Sequence, residues 1–247
     1  MKTLNEKINE LKKIIENSER ICVFTGAGIS CPSGIPDFRS EKGIYKTQSR
    51  FGYPPEQMLS HTFFEEHTEL FFDFYRSNMV FQNAKPNKAH KYFALLEKKG
   101  KKVTVVTQNI DSLHQAAGST DVVELHGSVM RNYCQKCKKS FSLDYVMKAK
   151  KVPICDCGGI IKPDVVLYEE PLSKSSIDRA ITAIENADTL IVVGTSLSVY
   201  PAASYIRFFK GNSLVLINKG ETQGNSPWAL SFNDDIINVV SKLEENK

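Results

Sequence analysis

Four cysteines, one histidine and a run of glycines carry most of the chemistry this sequence offers. Cys134-x-x-Cys137 and Cys155-x-Cys157 are separated by residues 138–154, a spacing that suits four thiolates around one tetrahedral zinc ion. Such a site would staple an insertion with too few apolar residues to fold alone. The pattern leaves no open coordination position, so one structural Zn2+ per chain is expected. The second half is Cys-x-Cys where Cys-x-x-Cys is usual, and Gly158 and Gly159 stand ready to absorb the altered geometry. A nucleic-acid-binding ribbon is the rival reading of the same cysteines.

His126 lies between Leu125 and Gly127. Its ordinary pKa is near neutral, as a general base requires, and Gly127 leaves room for a substrate. A hydrogen-bonded structural histidine is the plainer reading of a lone His in that setting. His61, His67, His90 and His114 lack the setting, and surface or core roles are expected for them. In Gln108-Asn109-Ile110-Asp111, Asn109 reads equally as a turn residue, and Asp111 as the N-cap of a short helix. Thr25-Gly26-Ala27-Gly28 follows the apolar run Ile21–Phe24, so backbone without Cβ atoms sits at a strand end, where a ligand can come close. Ile29 and Ser30 are expected to open a helix whose N-terminus suits a phosphate. The third glycine is Gly34, which departs from the usual dinucleotide fingerprint, and a tight turn explains the glycines about as well.

These residues need elements to hold them. Apolar residues at helical spacing predict helices over 3–17, 87–99, 175–186, 201–209 and 236–243, with an aromatic helical hairpin over 61–79 and a short helix over 112–117. The aromatic run is expected to pack as core, or to wall an acyl pocket, or both. Short apolar runs predict strands at 21–24, 103–107, 122–125, 165–168, 189–193 and 214–217. Strands of this kind alternating with helices indicate a parallel sheet covered on both faces: an α/β, doubly wound, Rossmann-like fold. The carboxyl edge of such a sheet gathers functional residues. Polar punctuation falls there at Thr25-Gly26, Gln108-Asn109, His126-Gly127, Gly194-Thr195-Ser196 and Asn218. Residues 41–55 are expected to form a loop.

With 247 residues, 41% hydrophobic and 24% charged, one domain with an inserted lobe is expected. A formal net charge of +4 is too small to argue for nucleic acid, and no direct nucleic-acid binding is expected. No apolar run approaches the ~20 residues that span a bilayer. The N-terminus reads as an amphipathic helix rather than a signal peptide. A cytoplasmic protein is expected, whose six cysteines serve as thiols or metal ligands.

Gly34-Ile35-Pro36-Asp37-Phe38-Arg39 places an acid, an aromatic and a base where a connecting loop has no structural need of them. Together with Gly26-Ala27-Gly28-Ile29-Ser30, the Gln108–Asp111 tetrad, Leu125-His126-Gly127, Lys162-Pro163-Asp164-Val165-Val166, Gly194-Thr195-Ser196 and Asn218, the chain resembles the sirtuin family. The likeness runs from Ile21 to Asn218, in the family's order.

The resemblance implies an NAD-dependent protein lysine deacetylase that transfers the acyl group to ADP-ribose, releasing nicotinamide and O-acetyl-ADP-ribose. It implies catalytic roles for His126, as base, and for Asn109 and Asp111, which hold nicotinamide and ribose. It further implies NAD contacts at Gly26, Ala27, Gly28, Cys31, Ile35, Pro36, Asp37, Phe38, Arg39, Gln108, Asn109, Ile110, Asp111, His126, Gly194, Thr195, Ser196 and Asn218. A Rossmann-like lobe is expected over residues 1–42, 85–126 and 163–247 of a single 1–247 catalytic domain. A small lobe is expected to combine a helical module (43–84) with a zinc module (127–162).

An acylated lysine on a protein partner is expected along Val165, Val166, Leu167 and Tyr168, by strand addition, with Val199 on the opposite wall. Two positions depart from the family pattern: Glu169, where glycine is common, and the less aromatic Leu167. Members that prefer acidic acyl groups carry Tyr-x-x-Arg, whereas this chain has Tyr75-Arg76 adjacent, which implies uncharged acyl groups. Two other readings stay open. One is mono-ADP-ribosyltransfer from the same site; the other is a non-catalytic NAD or ADP-ribose sensor, which an intact Asn109, Asp111 and His126 disfavours. Oligomeric state has no signature in the sequence.

Overall fold

A computed structural model describes residues 2–37, 51–220 and 228–245. Among the described residues, nine strands fall in two sheets: β1 (Arg20–Thr25), β2 (Lys102–Thr107), β3 (Val122–Glu124), β4 (Gly127–Cys134), β5 (Ser140–Ser142), β6 (Ile161–Val165), β7 (Thr189–Val193), β8 (Ser213–Asn218) and β9 (Leu230–Asn233). Six pair in parallel in the order β3-β2-β1-β7-β8-β9, and the other three form an antiparallel sheet ordered β5-β4-β6. The larger sheet is the doubly wound one expected. Its strand order turns back between β1 and β7, and such a reversal opens a crevice at the carboxyl edge.

Period-two alternation explains the layers. Ile21, Val23, Val103, Val105, Ile191, Val193, Val215 and Ile217 face one side. There they meet α1 (Leu4–Asn17), α5 (Lys88–Lys98) and α9 (Ile236–Glu245) through Leu11, Phe93 and Val239. Cys22, Phe24, Val106, Leu190, Val192 and Leu216 face the other side, against α8 (Lys174–Glu185) and a 3-10 segment, Ala202–Phe208. Both faces being covered is why the strands read as continuous apolar runs.

The short helices α2 (Pro55–Met58), α3 (His61–Glu66) and α4 (Thr68–Asn78) bury Phe63, Phe64, Phe71, Phe72, Phe74 and Tyr75 in one cluster. That cluster also takes in Val129, Ile161 and Val165 of the antiparallel sheet, Val146 of α7 (Leu143–Lys148), and Cys134 and Cys155. The aromatic run is therefore core. The helical and zinc-binding stretches share a single hydrophobic centre, which supplies the apolar surface the cysteine-bearing insertion lacks.

Four expectations are corrected. The strand expected at 165–168 is not part of the parallel sheet. β6 ends at Val165, and the chain stays in the antiparallel sheet past the expected boundary at 162. Beyond Val165 the amides turn to different partners: Val166 N–H to His126 O (3.0 Å), Leu167 N–H to the Glu170 carboxylate (2.9 Å) and Tyr168 N–H to Leu59 O (2.9 Å). No ladder can continue through them.

The helix expected to open at Ile29 is instead two single 3-10 turns, Ala27–Ile29 and Cys31–Ser33, closed by Gly34 at φ +87°. The helix expected over 201–209 is the 3-10 segment. Of the expected loop 41–55, residues 41–50 lie outside the described ones, and Pro55 opens α2.

Candidate active site

Five strand ends meet along the carboxyl edge, and hydrogen bonds tie their loops together. At the turning point of the sheet the loop after β1 runs against the loop after β7. Gly28 N–H donates to Gly194 O (2.8 Å), and Gly26 N–H to Val193 O (3.1 Å). A Cβ on Gly28 would stand 2.7 Å from the Gly194 Cα, and one on Gly194 would stand 2.3 Å from the Ile29 nitrogen. Gly194 also holds φ +62°. These glycines thus let two backbones touch, as well as shaping the edge that a ligand would meet. Ala27 and Cys31 lie on the same loop. Cys31 is exposed as a residue, its Sγ 3.6 Å from Ala27 O, yet partial desolvation of the sulfur by the loop, followed by the nearby Asp37, pushes its pKa up. It is therefore no ready nucleophile.

After β2, Gln108 N–H donates to Thr25 O (2.9 Å) and its side chain reaches Thr195 Oγ1 (3.4 Å). Asn109 Nδ2 donates to Ser30 Oγ (3.1 Å), which in turn donates to Asp111 Oδ2 (2.7 Å). Ser30 therefore joins the glycine loop to both predicted catalytic neighbours. Asp111 Oδ1 also accepts Leu113 N–H (2.8 Å) ahead of α6 (Leu113–Ala117), so it caps the first turn from one residue before the N-cap, which is Ser112 rather than the expected Asp111. Burial, outweighing those hydrogen bonds, pushes the Asp111 pKa up. Ile110 O accepts Val129 N–H (3.0 Å), anchoring the tetrad to β4.

His126 is half-buried between β3 and β4. Its Nδ1 lies 2.8 Å from Gln108 O. A carbonyl only accepts, so Nδ1 carries the proton and Nε2 keeps its lone pair. Burial lowers its pKa, against the opposing pull of the Gln108 bond. The result is a neutral imidazole with a basic nitrogen, oriented by the strand end that carries Asn109. Gly127 is fixed by crowding: at φ +74°, a Cβ there would meet Asp164 O at 1.9 Å.

The other predicted residues fall around this centre. Thr195 Oγ1 accepts Leu197 N–H (3.1 Å), Ser196 Oγ lies 2.6 Å from Ser198 Oγ, and Asn218 ends β8 with Nδ2 bonded to Gly220 O (3.2 Å). Ile35, Pro36 and Asp37 close the described part of the glycine loop, while Phe38 and Arg39 lie outside the described residues. Hydroxyl, amide and carboxylate groups in a row along a sheet edge suit the riboses and amide of a dinucleotide.

Val165 ends β6, and Val166, Leu167 and Tyr168 follow the small sheet; Tyr168 is exposed, and Val199 lies in the loop after β7. Glu169 holds φ +75°, a conformation that explains a preference for glycine. Its carboxylate accepts Thr62 N–H (2.9 Å) and Oγ1–H (2.8 Å). Sequence reasoning missed Ser30 as a bridge, although it sits inside the recognised motif. It also missed Thr25 and Thr107, whose role depends on pairing across strands.

The four cysteine sulfurs all lie within 4.8 Å of one another. Cys134 Sγ is 3.4 Å from Cys157 Sγ, and Cys137 Sγ is 3.6 Å from Cys155 Sγ. Ligands on a tetrahedral zinc stand roughly 3.8 Å apart, so the set fits that ion. The short Cys-x-Cys half is accommodated by a turn in which Gly158 takes φ +79° and Cys155 N–H bonds Gly159 O (2.8 Å).

The Sir2 family model matches residues 26–201. An NAD-dependent protein deacetylase of Clostridium acetobutylicum is 59% identical over 242 residues, 97% of this chain and 99% of the relative. One from Staphylococcus aureus strain N315 is 45% identical over 97% of this chain and 99% of its own length. A solved Sir2 with a p53 peptide and NAD+ superposes with a TM-score of 0.84 at 38% identity, covering 97% of this chain and 98% of that one. A Sir2 bound to an acetylated peptide gives 0.83 at 35% identity over the same shares.

Proposed function

The chain belongs to the Sir2 family, and from that premise we propose a protein lysine deacetylase that consumes NAD and uses His126 as its base. One observation carries the assignment: the 2.8 Å bond from His126 Nδ1 to Gln108 O leaves Nε2 as the proton acceptor, on a ring held by the residue that precedes Asn109. NAD supplies the ribose carbon that takes the acyl oxygen once nicotinamide leaves, ending as O-acetyl-ADP-ribose. The chain's own residues do the rest. Asn109, Asp111 and Ser30 orient the nicotinamide end, with Asp111 shielded from water. Gly26, Gly28, Gly194, Thr195, Ser196 and Asn218 hold the rest of the dinucleotide. His126 Nε2 removes the ribose hydroxyl proton and can return it.

The acylated peptide lies along 165–168 with Val199 opposite. Since the amides of Val166, Leu167 and Tyr168 and the carbonyls of Val165, Leu167 and Tyr168 all bond within the protein, its register rests on side chains more than on a full backbone ladder. Cys134, Cys137, Cys155 and Cys157 would hold a zinc ion that fixes the small lobe and takes no part in the reaction. Acyl groups without charge are preferred, because Tyr75 is buried in the core and Arg76 bonds Lys151 O (2.8 Å), leaving neither as a carboxylate receptor. A cytoplasmic site fits four cysteines gathered as thiolate ligands for one ion; among the described residues no helix is long and apolar enough to cross a membrane.

The test is to incubate the protein with NAD and a panel of acyl-lysine peptides, reading products by mass. Nicotinamide with deacetylated peptide is expected, and acetyl turned over faster than succinyl. Release of nicotinamide only with ADP-ribose fixed covalently to protein would replace deacetylation by transfer. No nicotinamide release would leave a sensor.

A further inference from the structure

A buried polar run lies beneath the strand ends, and the reaction above makes no use of it. His90 of α5 and His114 of α6 are 0% and 1% exposed. Their ring centroids stand 4.8 Å apart, with the rings 63° from parallel. Burial pushes the pKa of His90 down to about 4 and, with His90 beside it, that of His114 down to about 3, so both rings are neutral.

Neighbouring hydrogen bonds set each tautomer. His90 Nδ1 accepts Asn87 N–H (3.3 Å), which puts the ring proton on Nε2. On the other ring, Thr25 Oγ1 gives its proton to Thr107 Oγ1 (2.9 Å). The 3.1 Å contact between Thr25 Oγ1 and His114 Nε2 must then have the ring as donor, leaving the lone pair on Nδ1. Two buried ring atoms remain without a partner among the described residues: His90 Nε2 and His114 Nδ1. One is a donor and the other an acceptor, on touching rings. Unpaired buried polar atoms are rare and a bridging water is the usual remedy.

Both ends of the run enter loops of the candidate site. Asn87 Nδ2 donates to Ile29 O (2.8 Å) and Ser33 Oγ (2.9 Å) in the glycine loop. Thr107 Oγ1 also accepts Asn109 N–H (3.0 Å).

We propose that His90 and His114 bind one internal water between Nε2–H and Nδ1, closing a buried hydrogen-bond chain from Asn87 to Asn109, and that the pair are positioning residues for the two loops it joins. That these loops grip NAD rests on the function proposed above; the water and the tautomers do not.

Two measurements test it. In 15N-histidine-labelled, zinc-loaded protein, long-range 1H–15N spectra should show both rings neutral and protonated on Nε2 at pH 6, with exchange contacts to a long-lived water. An Nδ1-protonated or cationic ring, or no such water, overturns the chain. In steady-state kinetics, His114→Leu should raise KM for NAD about fivefold or more, the worth of one buried hydrogen bond, with kcat within about twofold. His114→Gln keeps an N–H donor near Thr25 and should recover most of the loss. Should the leucine variant not fold, Thr25→Val breaks the next link and carries the same expectation. Unchanged KM, or equal damage in the leucine and glutamine variants, rejects positioning. Should wild-type protein lack turnover, the proposed function fails while the spectra still decide the chain.

Discussion

The buried histidine pair makes acid sensitivity calculable. The perturbation is a fall from pH 7 to pH 5, applied to the wild type and to His114→Gln. A histidine whose folded pKa is depressed favours the neutral fold; its stabilising effect is present above the unfolded pKa and is lost as pH falls toward the folded one. For His114 the window runs from about 6.5 down to about 3. At pH 5 the unfolded chain has taken its proton and the folded one has not, which costs about 2 kcal/mol at 1.36 kcal/mol per unit. His90, with its window ending at about 4, adds a similar loss but is present in both proteins. Zinc-site protonation, and the opposite response of Asp111 with its raised pKa, are likewise common and cancel in the difference. Urea unfolding followed by circular dichroism at pH 7, 6 and 5 reads it. The variant's midpoint should fall less than the wild type's, by an amount on the order of 1 M. Parallel curves would mean that His114 takes up its proton inside the fold, and the burial argument would be wrong.

His126→Ala should cut turnover by at least about 100-fold while NAD binding by calorimetry is retained, since the lost group moves a proton rather than holding the dinucleotide. Gly194→Ala forces a Cβ to 2.3 Å from the Ile29 nitrogen at φ +62°, and should cost roughly 2–4 kcal/mol in thermal or urea melts, from crowding plus backbone strain. Gly34→Ala, with φ +87° but open space around its Cβ, should cost only about 1 kcal/mol. Metal analysis should find one zinc per chain, and strong chelation should melt the small lobe while the parallel sheet keeps its far-ultraviolet signal.

The parallel sheet was legible because its strands are buried on both faces and therefore read as short unbroken apolar runs. β9 escaped because Leu230-Ser231-Phe232-Asn233 is brief and half polar. β4 escaped for a different reason: Gly127–Cys134 mixes polar and apolar residues, and its pairing with β6 slips between Ser128 and Asn132. The strand expected at 165–168 was misplaced because an apolar run does not say which sheet its backbone will join. In the site, the motif residues stand out in the sequence by their types and order, and their roles are those proposed above. Thr25 and Thr107 acquire roles only when the pairing of β1 with β2 sets their hydroxyls opposite one another, and Ser30 only when the loops after β1 and β2 meet. For His90 and His114, nothing local distinguishes a buried ring from a surface one.

Glu169 shows how a departure from a family pattern is absorbed rather than merely tolerated. A non-glycine residue at φ +75° carries a backbone penalty of about 1–2 kcal/mol. Its carboxylate is placed by that same conformation on Thr62, in the first turn of α3, where free N–H groups and the helix dipole favour negative charge. At this exposed carboxylate, screened by solvent, such bonds recover part of the penalty. Glu170 works beside it: one carboxylate oxygen meets His61 (2.8 Å), the other Lys162 (3.0 Å) and Leu167 N–H (2.9 Å). Neighbouring His61 and Glu170 thus tie α3, β6 and the 165–170 stretch together, and the chain that would lie against the acyl-lysine is fastened at both of its edges. Glycine at 169 would relieve the strain but release one fastening. The glutamate therefore alters how rigidly the 165–170 segment, proposed above to meet the peptide, is held, and makes no bond to His126, Asn109 or Asp111.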